Sequence, residues 1–151
     1  FDFFADKSDI LLKNFYGSMN FLNILDGDIK LNLSQNIDIS SNFTTKIKFE
    51  SFPEEYKNLI KNFKFLHELK NLNAELSNNI SLSFDKTYKI KEYNIKSSGK
   101  ITNAELNLDK PVKNIFSKNN INQLSFQNLE INSNFNKDDN TINVFGKYSL
   151  N

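Results

Sequence analysis

The chain lacks several residue types that would point to familiar functions. It contains no cysteine, so neither a disulfide nor a thiolate metal site can form. All 19 basic residues are lysine, which removes the guanidinium fork that proteins use to recognise phosphates and nucleobases. The net charge is +1, so no overall field attracts nucleic acid or an acidic partner. We therefore expect no nucleic-acid partner.

Catalytic and metal-binding motifs are also missing from the sequence. His67 is the only histidine, so most pairs of a nucleophile and a base cannot be assembled. There is no glycine-rich phosphate loop, Gly-x-Ser-x-Gly elbow or His-Glu-x-x-His pair. The closest acidic pairs, Asp26 with Asp28 and Asp138 with Asp139, could bind Ca²⁺ weakly but also fit ordinary turn chemistry. We expect neither an enzyme nor a bound cofactor or metal.

The sequence contains no apolar run near the roughly 20 residues that a membrane-spanning helix needs. Four glycines and two prolines are too few for a linker or a low-complexity chain. The chain starts at Phe1 without an initiator methionine and ends within an alternating run. We expect residues 1–151 to be a single β-rich segment of a larger protein.

Strict alternation of apolar and polar residues dominates what is present, most clearly from Leu72 to Phe84. This period of two predicts a strand with one apolar face and one polar face. A turn at Asp85-Lys86-Thr87 leads into a return strand that reaches Leu108. The apolar positions of that strand shift register twice, which predicts bulges near Lys91-Glu92 and Thr102-Asn103 and hence a curved sheet.

Further alternating runs predict more long strands. Residues 37–49 alternate over 13 positions, about 43 Å of strand, and a run from Met19 is interrupted by a turn or bulge at Asp26-Gly27-Asp28. Residues 124–135 alternate with one slip between Phe126 and Leu129. A loop at 136–140 then precedes the last run, 142–150.

Three stretches have helical features instead. Ser51 and Glu54 have the spacing of a capping box, and apolar residues at helical intervals predict a helix over about 54–69, as an insertion at about 53–69. Ser8 to Phe15 could form a short capped helix that ends at Gly17. Residues 109–120, which include Pro111, predict a connection with a turn of helix around 112–116. The fold class is thus mainly β, a long antiparallel meander of six or seven strands forming a curved open sheet with one short helix.

The apolar face of such a sheet needs a cover. A helix of about 16 residues spans only about 24 Å, which cannot shield six strands of this length. The sheet could close into a sandwich or barrel, pack on neighbouring repeats, face lipid in an outer-membrane barrel, or form an open groove that acyl chains fill. The interrupted strand series makes the membrane barrel the weaker alternative.

The return strand and its surroundings carry a family resemblance. Residues 84–106 end in Gly99-Lys100-Ile101-Thr102-Asn103-Ala104-Glu105-Leu106, which fits a Gly-Lys-φ-x-x-Ala-x-φ pattern after a strand, a short turn and a long bent strand. Strands such as 124–135 and a closing Gly146-Lys147-Tyr148 follow. This pattern resembles central regions of large bacterial AsmA-like proteins, of the YhdP and TamB type, over roughly residues 70–151 and more faintly 20–50.

The resemblance implies a repeating β-groove that crosses the periplasm, anchored in the inner membrane by an N-terminal segment outside this sequence. It implies transport of phospholipids between the inner and outer membranes, with acyl chains and neighbouring β repeats of the same chain as partners and membrane contact elsewhere. The family brings no catalytic residues. The alternative function is a closed β-sandwich that binds or scaffolds a protein or glycan partner. The predicted lipid-binding groove comprises Ile29, Leu31, Leu33, Ile37, Ile39, Phe43, Ile47, Phe49, Leu72, Leu76, Ile80, Leu82, Phe84, Ile95, Ile101, Leu106, Leu129, Ile131, Phe135, Ile142 and Val144.

Overall fold

A computed structural model describes residues 1–50, 68–113 and 120–150. These residues form nine β-strands: β1 (Asp2–Ala5), β2 (Asp9–Lys13), β3 (Gly17–Ser18), β4 (Leu22–Asn32), β5 (Ile37–Phe49), β6 (Leu69–Phe84), β7 (Ile90–Lys113), β8 (Asn120–Asn136) and β9 (Asn140–Leu150). The six long strands β4 to β9 contain between 11 and 24 residues each.

All nine strands belong to one antiparallel sheet, in the order β1-β2-β4-β5-β6-β7-β8-β9, with β3 paired to β4. Neighbours in sequence are therefore neighbours in space, as the predicted meander requires. The described part of the chain is a curved open sheet, which confirms the predicted fold class. It is a single layer and not the closed sandwich of the alternative prediction.

The helix predicted from Ser8 to Phe15 is wrong, because Asp9–Lys13 form β2. Ile10 and Leu12 lie opposite Leu31 and Ile29 of β4, so pairing with a long neighbouring strand outweighs the local capping signal. Ser8 does not act as a helix cap. Its backbone N–H donates to the carboxylate of Asp6 at 2.8 Å, which closes the turn between β1 and β2.

The two other predicted helical stretches fall partly outside the described residues. Residues 54–67 of the helix predicted over 54–69 lie outside the described residues. The last residue of that predicted helix, Leu69, is the first residue of β6. The connection predicted from residue 109 is wrong up to Lys113, because β7 extends to that residue and Val112 lies opposite Ile121. Pro111 fits because pairing with β8 lapses between Asn107 and Val112, so its missing N–H removes no ladder bond.

Both bulges predicted in β7 are present. The pairing with β6 skips Lys91 and Thr102, so each is an extra residue opposite an uninterrupted partner strand. At Asp26-Gly27-Asp28 the bulge alternative is correct: β4 runs on, and Leu25 is the extra residue against β5. Because a bulge bends its own strand, these sites curve the sheet along the strand direction.

The slip predicted between Phe126 and Leu129 is a further bulge. Gln127 pairs with Lys147 and Glu130 with Phe145, which leaves Asn128 and Leu129 opposite the single residue Gly146. Asn128 adopts a left-handed backbone with φ of 52°, a conformation that asparagine tolerates better than most residues. The bulge keeps Phe126 and Leu129 on the same side of the sheet.

The sheet buries few apolar side chains. Among the described residues only Ala74, Ala104 and Leu129 are buried hydrophobics, and no large side chain is fully buried. The accessible surface is 11091 Å², whereas a compact protein of this mass exposes about 7,900 Å². The apolar side chains must therefore be shielded mainly by their neighbours within one layer.

Candidate functional site

Strand register gathers the apolar residues onto one face, here called the apolar face. Directly paired residues of antiparallel strands share a face, and Ile39 pairs with both Leu31 and Leu82 while Ile80 pairs with Ile95 and Ile95 with Phe135. The same pairing places every residue of the predicted groove on this face except Leu33. Leu33 follows the end of β4 and is 45% exposed.

Three glycines allow neighbouring strands to approach each other closely on the apolar face. A β-carbon on Gly99 would lie 2.1 Å from the carbonyl oxygen of Glu75, and one on Gly27 would lie 2.6 Å from the β-carbon of Phe43. On Gly146 it would lie 2.5 Å from a methyl group of Leu129. All three glycines are on the apolar face. Glycine admits these close approaches because it has no β-carbon. The apolar face of this curved sheet is here called the trough.

Two aromatic pairs lie towards the β4 side of the trough. The rings of Phe15 and Phe43 have centroids 6.3 Å apart, and Phe15 donates its backbone N–H to the Gly27 carbonyl at 2.9 Å. Phe15 can reach Phe43 because Gly27, between them, has no side chain. Phe21 and Phe49 form an edge-to-face pair, also with centroids 6.3 Å apart.

A small cluster of polar side chains interrupts the trough. Asn78, Ser97 and Ser133, here called the polar island, occupy one row across β6, β7 and β8. Ser97 donates its hydroxyl to the Asn78 Oδ1 at 2.8 Å, and Ser133 donates its hydroxyl to the Ser97 carbonyl at 3.4 Å. The row continues to Phe43 on β5 and Ile142 on β9. Measured across the strands, the three polar side chains thus occupy about 10 Å of the trough, which corresponds to two strand spacings.

The amide group of Asn78 anchors the island to the sheet. Its Nδ2 donates to the Oγ1 of Thr45 at 3.1 Å, to the Leu76 carbonyl at 3.2 Å and to the Phe43 carbonyl at 3.3 Å. Thr45 in turn donates to the Leu76 carbonyl at 3.4 Å. These bonds satisfy the amide within the sheet, so the island needs no ligand to compensate its burial.

Sequence reasoning missed the polar island, although a signal was present. Asn78, Ser97 and Ser133 are each a polar exception in an otherwise apolar alternating set. Each exception alone is unremarkable in a strand. Their alignment depends on the register between three strands, including the bulge at Lys91, and register is not visible in any one strand.

The opposite face is polar and is held by short side-chain ladders. Ser83 donates its hydroxyl to Asp38 at 2.6 Å, Asn103 its amide to Asn71 at 3.0 Å, and Gln123 its amide to Glu105 at 3.1 Å. Asn79 donates to Asn42 in the same way. These bonds join neighbouring strands of the polar face.

Strand β9 has large apolar side chains that remain accessible. Ile142 and Val144 belong to the apolar face and are 59% and 49% exposed, and Tyr148 on the same face is 69% exposed. Phe145 points to the polar face and is 63% exposed. Within the described residues β9 pairs with β8 alone, so the apolar face extends to the edge of the sheet.

Three of the four candidate calcium ligands take part in local hydrogen bonds. Asp28 accepts the backbone N–H of Asn14 at 3.1 Å, and the N–H groups of Asp138 and Asp139 donate to Asn136 at 2.9 and 2.8 Å. Among residues 1–50, 68–113 and 120–150, no three histidine, aspartate or glutamate side chains gather as metal ligands.

Two turn aspartates have lowered pKa values. Hydrogen bonds from the Ser8 and Asp9 N–H groups lower the pKa of Asp6, and hydrogen bonds from the Thr87 hydroxyl and the Lys89 N–H lower that of Asp85. Both carboxylates close hairpin turns away from the trough. The lowered pKa values of both groups follow from these turn hydrogen bonds.

Comparison with known proteins gave no match: no family model, no curated protein and no solved structure is similar to the chain. The described residues also contain no helix with the length and apolar character needed to cross a membrane. The trough is therefore the feature of the chain from which a function can be inferred.

Proposed function

We propose that this chain is a segment of a periplasmic bridge, anchored to the inner membrane, that conducts phospholipids between the inner and outer membranes along its trough. The observation that carries the proposal is a long apolar face that the described residues leave uncovered. Large apolar side chains on it, such as Ile80 and Leu82, are only half-buried. Water is a poor solvent for such a surface, whereas lipid acyl chains match it chemically.

Acyl chains would bind the trough without directional contacts. Each Å² of apolar surface that they cover contributes about 25 cal/mol, and neighbouring positions along the trough offer similar surface. A lipid could therefore move from one strand to the next without losing a specific bond. Headgroups would remain in water at the open side, so the proposal requires no charged headgroup site.

Mass spectrometry of the purified chain provides the direct test of lipid binding. We expect phospholipids to copurify with the chain from bacterial membranes and to exchange with phospholipid added in vesicles. A chain that carries no lipid, and takes none from vesicles, would contradict the proposal.

A charge placed in the trough tests the route that lipids take. Ile80→Asp and Ile39→Asp put a carboxylate on the apolar face, and we expect both to reduce lipid binding and transfer because an acyl chain cannot solvate a charge. Ser81→Asp is the matched control, since Ser81 is exposed on the polar face of the same strand. Circular dichroism checks the fold. If Ile80→Asp and Ile39→Asp unfold the chain, these residues are core and not groove.

A further inference from the structure

The polar island lies between two apolar tracks that run across the strands. The first track includes Ile29, Ile39, Ile80, Leu82, Ile95 and Phe135. The second includes Ile24, Ile47, Leu76, Ile101, Leu129 and Ile131. On β6 the nearest residues of the two tracks are Leu76 and Ile80. They are four positions apart along the strand, so about 13 Å separates the tracks there.

Ser41 and Thr45 occupy β5 in the rows next to the island, one on each side. They are only 8% and 7% exposed, so neighbouring apolar side chains form most of the accessible surface around them. Each track therefore offers apolar surface from β4 to β8, a distance of about 19 Å. An acyl chain spans about 15 Å, half of the hydrocarbon core of a bilayer. One track can thus hold one extended acyl chain.

The polar island offers an acyl chain much less apolar contact area than the tracks do. Its donors are already bonded inside the sheet, to Phe43, Thr45, Leu76, Asn78 and Ser97. An acyl chain placed on the island would cover amide and hydroxyl groups, whose burial adds no apolar contribution. If such a chain forfeits on the order of 50 Å² of apolar contact, its occupancy falls about tenfold.

We propose that the polar island keeps bound acyl chains in two separate tracks, one on each side of Asn78, Ser97 and Ser133. This inference rests on the proposed function, since it assigns an internal arrangement to the same trough. Asn78 acts as a positioning residue, because its amide binds the backbone of two strands and holds Ser97 in place. Acyl chains then run across the strands, parallel to the row of the island.

Photo-crosslinking locates the chains with residue resolution. The probe is a phosphatidylcholine with a diazirine in the middle of one acyl chain, offered to the whole chain in phosphatidylcholine vesicles. We expect adducts in both tracks, at or beside Ile80 and Ile95 and at or beside Leu76 and Ile131. Adducts at Asn78, Ser97 and Ser133 should be about tenfold fewer.

The variant Asn78→Leu removes the amide and makes the centre of the trough apolar. We expect adducts at positions 78, 97 and 133 to rise to the level of the tracks. Asn79→Leu is the matched control, because the same change one residue later falls on the polar face and should leave the adduct map unchanged. If Asn78→Leu fails to fold, as judged by circular dichroism, the double variant Ser97→Ala and Ser133→Ala takes its place.

The outcomes separate this inference from the proposed function. Adducts spread evenly over tracks and island in the wild-type chain would overturn the two-track arrangement while supporting lipid binding. Adducts confined to one track would overturn it as well, and so would an unchanged map in the island variants. An absence of adducts anywhere on the apolar face would refute the proposed function and the inference together.

Discussion

Gly99 lies so close to Glu75 on the neighbouring strand that a β-carbon at position 99 would be 2.1 Å from the Glu75 carbonyl oxygen. The nearest atoms on that side are all backbone, including the Leu76 α-carbon at 2.9 Å, so no side-chain rotation could make room. The approach occurs on the apolar face. The close pairing of β6 with β7 therefore depends on glycine at this position.

Gly99→Ala should destabilise the chain by about 1–3 kcal/mol, because strands β6 and β7 must separate to admit the methyl group. Chemical denaturation measures the free energy of unfolding. Gly17→Ala is the control, since nothing lies within 4 Å of the corresponding β-carbon. Equal stability of the two variants would show that the close approach does not constrain the sheet.

The bulge in β8 gives a second prediction. Asn128→Val should cost about 1–2 kcal/mol, because a β-branched residue is strained in the left-handed conformation that Asn128 adopts. Asn132→Val, on the same strand with paired and extended backbone, should cost less. Thermal melts of the two variants compare the costs. A milder effect at position 128 than at 132 would contradict the role given to the bulge.

The side chains of Phe15 and Phe43 should be energetically coupled in their contribution to stability. A double-mutant cycle with Phe15→Ala and Phe43→Ala is expected to give a coupling of about 0.5–1.5 kcal/mol, the usual contribution of an aromatic pair. A cycle between Phe15 and Phe126 serves as the control, because at least four strand spacings, about 19 Å, separate them. Coupling of similar size in both cycles would mean that it does not arise from ring contact.

The hairpin between β6 and β7 should show acid sensitivity through Asp85. Its carboxylate accepts the Thr87 hydroxyl at 2.6 Å and the Thr87 N–H at 2.7 Å, and these bonds help to hold its pKa below the ordinary 3.8. The stabilisation is therefore present above the unfolded pKa and is lost as pH falls through the lower folded value.

Asp85→Asn keeps the shape of the side chain but cannot titrate. Its thermal midpoint should fall less than that of the wild-type chain between about pH 7 and about pH 2. Asp139→Asn in the β8–β9 hairpin is the control, since its carboxylate accepts no hydrogen bond from the described residues. An identical pH response of the Asp85 variant and the wild-type chain would argue against this stabilisation.

Much of the fold could be predicted because alternation is a local property. The apolar positions of β5 and β6 follow directly from a period of two, and the slips near Lys91, Thr102 and Leu129 marked bulges that the structure contains. Ser8 to Phe15 could not be assigned in this way. Its capping residue favoured a helix, and only the presence of β4 beside it makes a strand more favourable.

The sequence by itself determined that this protein has long strands with one apolar face, since side-chain alternation and register slips depend only on residue order. The tertiary structure decided which residues meet across strands. Asn78, Ser97 and Ser133 form an island because three strands pair in a specific register, and Gly99 lies against Glu75 because β6 pairs with β7 at that point. Side-chain hydrogen bonds between the long strands join residues 18 to 45 positions apart, beyond the reach of any local pattern.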